Sequence, residues 1–140
     1  MSLEKEKLQK KLKTRSELIQ AVRDFFSGLG YLEIDTPLRS PAIIPEAYIN
    51  PVQSEESFLQ ASPELYMKRF LSREADKLFQ ICKCFRKNER GRKHLPELTM
   101  PEWYGTDINY LDMMKQCEEM IRFVASKTGF HPPCRSPLAR

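Results

Sequence analysis

No stretch of this chain approaches the ~20 consecutive apolar residues that a membrane-spanning helix needs, and the N-terminus is charged from Glu4 onward, without the apolar core of a secretory signal. The expected compartment is the cytoplasm, and no membrane contact is expected. Cysteine is present but not in a metal-binding arrangement. Cys82-x-Cys84 is one close pair, and Cys117 and Cys134 stand alone. Structural zinc favours two paired elements of the C-x₂₋₄-C kind, so reduced thiols and no metal are expected. Charge of one sign is not in great excess: the formal net charge of +4 assists the approach of an anion but does not mark a nucleic-acid binder. The 41% apolar and 30% charged residues are ordinary for a soluble domain, and 140 residues suffice for one domain with a real core.

What is present is concentrated between Leu78 and Tyr104, LFQICKCFRKNERGRKHLPELTMPEWY. Two runs with strand alternation flank a loop holding Arg86, Lys87, Arg90, Arg92, Lys93 and His94. A period of two puts Gln80, Cys82, Cys84 and Arg86 on one face of the first run, with Phe79, Ile81 and Phe85 on the other. On the second run Leu98, Met100, Glu102 and Tyr104 share a face. If the runs pair antiparallel, a guanidinium and a cationic loop lie at one end, with a carboxylate and a phenol further along. That layout suits a polyphosphate and a small amine. The competing interpretation is a hairpin with a solvated charged tip, which composition alone favours.

Upstream, Leu8 to Leu29 has helical periodicity through Leu8, Leu12, Leu18, Ile19, Val22, Phe25, Phe26 and Leu29. Thr14-x-x-Glu17 reads as a capping box starting a helix at Arg15, with residues 4–13 a charged, frayed lead-in and Gly28 and Gly30 ending the helix. Gly30 to Pro37 reads as a short strand with Leu32 and Ile34 alternating. Residues 38–56 read as a loop, and Phe58 to Ala61 as a brief strand. Ser62-Pro63-Glu64 then starts a helix, with Ser62 as N-cap and Tyr66, Met67, Phe70 and Leu71 as the apolar face. Asn109 caps a last helix over Tyr110 to Lys127, whose buried stripe is Leu111, Met114, Cys117, Met120, Ile121 and Val124. Gly129 ends it. Pro101 interrupts the second run of the hairpin, expected to be a central strand, and requires a bulge to accommodate it.

The residue order resembles the class II aminoacyl-tRNA synthetases. Phe85-Arg86, then His94-Leu95-Pro96-Glu97-Leu98-Thr99-Met100 and Glu102-Trp103-Tyr104, are similar to that family's motif 2. Gly30-Tyr31-Leu32-Glu33-Ile34-Asp35-Thr36-Pro37 resembles motif 1. Ala61 to Phe70, ASPELYMKRF, resembles the signature of the lysyl subgroup. ERGRKH in the loop and Glu102-Trp103-Tyr104 look most like the shorter lysyl-tRNA synthetase paralogues, which attach lysine or β-lysine to elongation factor P. The resemblance covers about Arg15 to Lys127.

The resemblance implies an α+β fold, a partial antiparallel sheet flanked by helices. It divides the chain into a charged lead-in (1–14), a truncated class II synthetase-like catalytic domain with motifs 1 and 2 (15–128) and a tail (129–140). It implies ATP as substrate, with Mg2+ in the family but no metal ligand identified in this chain, and a homodimer through motif 1. Arg86 is the implied catalytic residue. Asn88, Glu89, Arg92, Lys93, His94 and Leu98 join it in holding ATP, while Glu64, Arg86, Glu102 and Tyr104 hold the amino acid. The residues themselves leave Glu64 open between an amine ligand and an ordinary helix-start acid. The implied function is adenylate formation from lysine and transfer to elongation factor P. The alternatives are half of a lysyl-tRNA synthetase charging tRNA, or an inactive nucleotide-binding or dimerising fragment. Three departures stand out: Asn88 replaces the motif's Glu, Leu98 replaces the Phe that stacks on adenine, and no Gly-rich third motif follows Gly105, after which only Gly129 remains.

Overall fold

The computed structural model describes residues 3–71 and 75–129. It falls into two compact units, one formed by residues 3–29 with residues 108–129, the other by Gly30–Asp107.

The first unit pairs α1 (Leu3–Gly28) with α3 (Tyr110–Thr128). The helix does not start at Arg15. It runs unbroken from Leu3, because residues 3–14 are nearly all good helix formers and contain no Gly or Pro. Glu4 and Glu6 in the first turn complement the helix dipole. Only its C-terminal half is buried, at Ala21, Val22, Phe25 and Phe26, while Leu8, Leu12 and Leu18 are exposed. Phe25 packs edge-on to Phe26 at 5.2 Å between ring centroids and meets Phe123 of α3 at 5.7 Å.

The capping box on α3 is real: Asn109 Oδ1 accepts from the backbone N–H of Leu111 and Asp112, and Asp112 Oδ2 accepts from the Asn109 N–H. Gly129 closes the helix at φ 66°, a left-handed conformation that glycine adopts without cost. The expected buried stripe is corrected: no residue of α3 is buried, and Leu111, Met114 and Ile121 are exposed. One helix partner covers too little of a stripe that wide. Residues 130–140, including Cys134, lie outside the described residues.

The second unit holds a three-stranded sheet in the order β1 (Leu32–Glu33), β5 (Lys77–Phe85), β6 (Glu97–Gly105). β1 runs parallel to β5, and β5 and β6 form the antiparallel hairpin. The α+β class follows from these elements. In β1 the inward residue is not Leu32, which is exposed. Tyr31 is buried instead, after Gly30 turns the chain at φ 76°.

Residues 38–56 are not simply a loop. A second small sheet, β2 (Arg39–Ser40), β4 (Ser57–Leu59), β3 (Val52–Ser54), forms within and beyond them. It is tied to the hairpin where the Phe85 N–H donates to Gln60 O (2.9 Å) and the Lys87 N–H to Asn50 O (2.8 Å). α2 (Glu64–Leu71) packs on β5 and β6, burying Met67 completely and leaving Phe70 exposed. Phe79, Leu78, Met67 and Cys84 are the best-buried apolar side chains of the unit.

Pro101 needs no bulge. It pairs with Ile81 in an uninterrupted register, and β6 has a ladder neighbour on one side only among the described residues. A proline facing the open side of such a strand removes no ladder hydrogen bond.

Candidate active site

The β5–β6 register settles which side chains share a face. Gln80 stands opposite Glu102, Cys82 opposite Met100 and Cys84 opposite Leu98, as alternation along each run requires. Directly after β5, the Arg86 N–H donates to Pro96 O (2.9 Å), which closes the mouth of the hairpin and fixes the root of that side chain. The guanidinium is largely buried. Its Nε donates to Ala61 O (3.3 Å), and a terminal nitrogen lies 3.7 Å from Glu89 Oε1.

The loop follows from local backbone demands. Asn88 takes a left-handed φ of 67°, a conformation that asparagine tolerates far better than glutamate does. Asn in place of the motif's Glu is therefore a turn residue here, and Glu89 faces Arg86 instead. Gly91 and His94 exchange backbone hydrogen bonds of 3.2 and 3.4 Å, and Arg92, Lys93 and His94 project from this turn, all exposed. Leu98 is half-buried opposite Cys84.

The carboxylate of Glu102 is held at both oxygens. Ser62 Oγ donates to Oε2 at 2.6 Å, and the Tyr104 hydroxyl donates to Oε1 at 2.7 Å. Ser62 Oγ also accepts from the Glu64 N–H (3.2 Å), so one hydroxyl caps α2 and anchors the acid. Each carboxylate oxygen keeps further acceptor capacity for an incoming donor. The Tyr104 phenol is pushed well above the usual tyrosine range, first by burial, then by its hydrogen bond to Glu102, then by the negative charges of Glu102 and Glu64. A phenol so held remains a donor and stiffens the acid.

Glu64 lies at the start of α2 and binds Lys68 one turn on, at 2.5 Å. The same ammonium stands over the Tyr104 ring, 5.8 Å from its centroid. Glu64, Glu102 and Tyr104 are thus brought into one neighbourhood, with an ammonium already in it. The Cys84 thiol is raised and the Cys82 thiol lowered, each chiefly by the Sγ–Sγ contact between them, with burial raising Cys84 further. Both thiols are free, as is Cys117.

Two features have no local signature in sequence. Ser62 reads as a helix cap, and its hydrogen bond to Glu102 spans 40 positions. Gln60 is buried and bridges strands, its side-chain N–H₂ donating to Lys83 O at 2.9 Å. A small, mostly apolar hollow lies among Ile43, Ile44, Phe58, Leu59 and Tyr66, and its lining reaches Ser62 but not Arg86, Glu102 or Tyr104. Among the described residues no three His, Cys, Asp or Glu side chains converge to hold a metal.

Comparison with known proteins gives this geometry a family. The profile described as tRNA synthetases class II (D, K and N) matches residues 1–135. A curated relative from Photobacterium profundum, named elongation factor P–(R)-β-lysine ligase, is 38% identical over 125 residues, covering 82% of this chain and 39% of that protein. A ligase of the same name from Vibrio atlanticus is 34% identical over the same shares. The chain therefore spans about two fifths of the length of these relatives. Among solved structures, asparaginyl-tRNA synthetase from Pyrococcus horikoshii, complexed with asparaginyl-adenylate, superimposes with a TM-score of 0.77 at 22% identity, over 86% of this chain and 28% of that one. That likeness establishes the fold. The match over nearly the whole sequence establishes the lineage: this chain belongs to the class II tRNA synthetases of the D, K and N group.

Proposed function

We propose that this chain carries the part of an ATP-dependent ligase site that binds ATP and a lysine-type amino acid, and that its activated product is lysyl- or β-lysyl-adenylate destined for elongation factor P. The observation that supports this most is Glu102, a carboxylate held by two hydroxyls on the same sheet face as Arg86. A fixed acid beside an aromatic ring recognises an ammonium, whereas an apolar amino acid would offer its negative charge no counter-charge.

In the reaction, a carboxylate oxygen of the amino acid attacks the α-phosphorus of ATP. The bond to the bridging oxygen breaks, pyrophosphate leaves with that electron pair, and a mixed anhydride remains. The protein's share is positioning and charge neutralisation. Arg86 would engage the α-phosphate and the amino-acid carboxylate through parallel N–H donors. Arg92, Lys93 and His94 would meet the outer phosphates, and Asn88 and Glu89 shape the loop that carries them. Leu98 would lie against the adenine as an aliphatic contact. Glu64 would take the α-amino group once Lys68 moves aside, with Glu102 and Tyr104 holding an amine of the substrate.

The catalytic part is proposed to be residues 15–128, acting as a homodimer in the cytoplasm. Exposed Leu32, in the strand resembling motif 1, supports the dimer contact. No described helix is long and apolar enough to cross a membrane.

Lysine-dependent exchange of labelled pyrophosphate into ATP tests the ligase reading. Exchange that an Arg86→Ala variant lowers by about 10²–10³ supports it. Nucleotide binding without exchange favours a binding fragment instead. Aminoacylation of tRNA in preference to elongation factor P moves the acceptor to tRNA.

A further inference from the structure

The same sheet face carries a group of sulfur atoms that adenylation does not use. Cys82 Sγ and Cys84 Sγ lie 3.8 Å apart, and Cys84 Sγ lies 3.9 Å from Met100 Sδ. Cys82 also faces Met100 directly across the ladder. Both cysteines are buried free thiols, and Met100 is half-buried.

A disulfide is a poor use of this pair. Residues two apart on a strand have Cα atoms separated by about 6.6 Å, at the far end of the 4.4–6.8 Å range that a disulfide spans. A metal suits the group better. Three sulfurs at about 2.3 Å from a common ion stand about 3.8–4.0 Å from one another, and both observed separations already have that value.

The donor types select the ion. Two thiolates with a thioether are soft ligands that favour monovalent copper. Zinc in a closed site takes four Cys, His or carboxylate donors, which the described residues do not assemble. Next along the same face, Gln80 is 1% exposed, and neither atom of its side-chain amide has a hydrogen-bond partner. Its N–H₂ would serve as an outer hydrogen-bond donor to a metal-bound thiolate, the kind of support that orients and tunes metal ligands.

We propose that Cys82, Cys84 and Met100 form a three-sulfur site for one Cu(I) ion. On coordination each thiol loses its proton to solvent, two protons per ion, and the oxidation state of copper does not change.

The test uses the full chain with Cys117→Ser and Cys134→Ser, so that only the strand pair offers thiols. Cu(I) is titrated without oxygen against a chromogenic Cu(I) chelator, and X-ray absorption identifies the donors. The expected result is one Cu(I) per chain in a three-coordinate, all-sulfur environment. Adding Cys84→Ser should abolish that binding, and adding Met100→Leu should weaken it by about 10–100-fold. Met100→Leu conserves volume and should fold normally, so it decides the matter even if the fully buried Cys84 position tolerates no change. Nitrogen or oxygen donors in the spectrum, or unchanged affinity in Met100→Leu, would overturn the proposal.

Discussion

The ammonium of Lys68 occupies the ground between Glu64 and Tyr104, 2.5 Å from the carboxylate and 5.8 Å from the ring centroid. Under the proposed function it stands where the amine of a substrate would find the same two partners, as a competitor within the chain. Lys68→Met removes the competitor while preserving length and apolar stem. The Lys68 side chain is 58% exposed, so its ion pair is screened and worth at most about 1 kcal/mol. Lysine binding measured by calorimetry should tighten by about two- to fivefold. Weaker binding in the variant would mean that Lys68 assists the ligand.

Ser62 serves two partners with one hydroxyl, accepting from the Glu64 N–H and donating to Glu102. Ser62→Ala removes a helix cap and a charge-assisted hydrogen bond together. Urea unfolding should show a loss of about 1–3 kcal/mol, and lysine affinity should fall in parallel. An unchanged midpoint would contradict the double role.

The outline of this arrangement could be read from the sequence because it is periodic. Alternation put Gln80, Cys82 and Cys84 on one face of the first run and Leu98, Met100 and Glu102 on one face of the second, and the register joins the two sets on one side of the sheet. The cap at Asn109 and the stop at Gly129 are local chemistry and were equally visible. The hydrogen bond from Ser62 to Glu102 and the small sheet of β2, β3 and β4 depend on contacts between distant residues, which no window of sequence contains. Exposure misled for a related reason. The stripes of α1 and α3 are truly apolar, but periodicity states what a helix can bury and not how much of it is covered.

Alkaline pH isolates Tyr104. Its phenol is raised above the ordinary value of 10.0, first by burial and then by Glu102. The folded state therefore holds a proton that the unfolded chain releases near pH 10, and the associated stability is complete below that pH and lost as pH rises above it. Unfolding midpoints should fall above pH 10 more steeply in the parent than in Tyr104→Phe. Parallel curves would show that the phenol is not held in this way.

Gln80 is buried, and neither atom of its side-chain amide has a hydrogen-bond partner. Gln80→Met replaces it with an apolar side chain of similar length and should stabilise the protein by about 1–3 kcal/mol in urea. A loss of stability instead would show that the amide is satisfied in solution, by a bound water for example.

The central claim is that Arg86 and the Glu102–Tyr104 pair act on one ligand, and a non-hydrolysable lysyl-adenylate analogue addresses both together. Calorimetric titration of the chain should give saturable binding that Arg86→Ala and Glu102→Gln each weaken by at least tenfold, while the corresponding leucyl analogue binds more weakly than the lysyl one. Equal affinity for the two analogues, or a lysyl affinity that neither substitution changes, would contradict it.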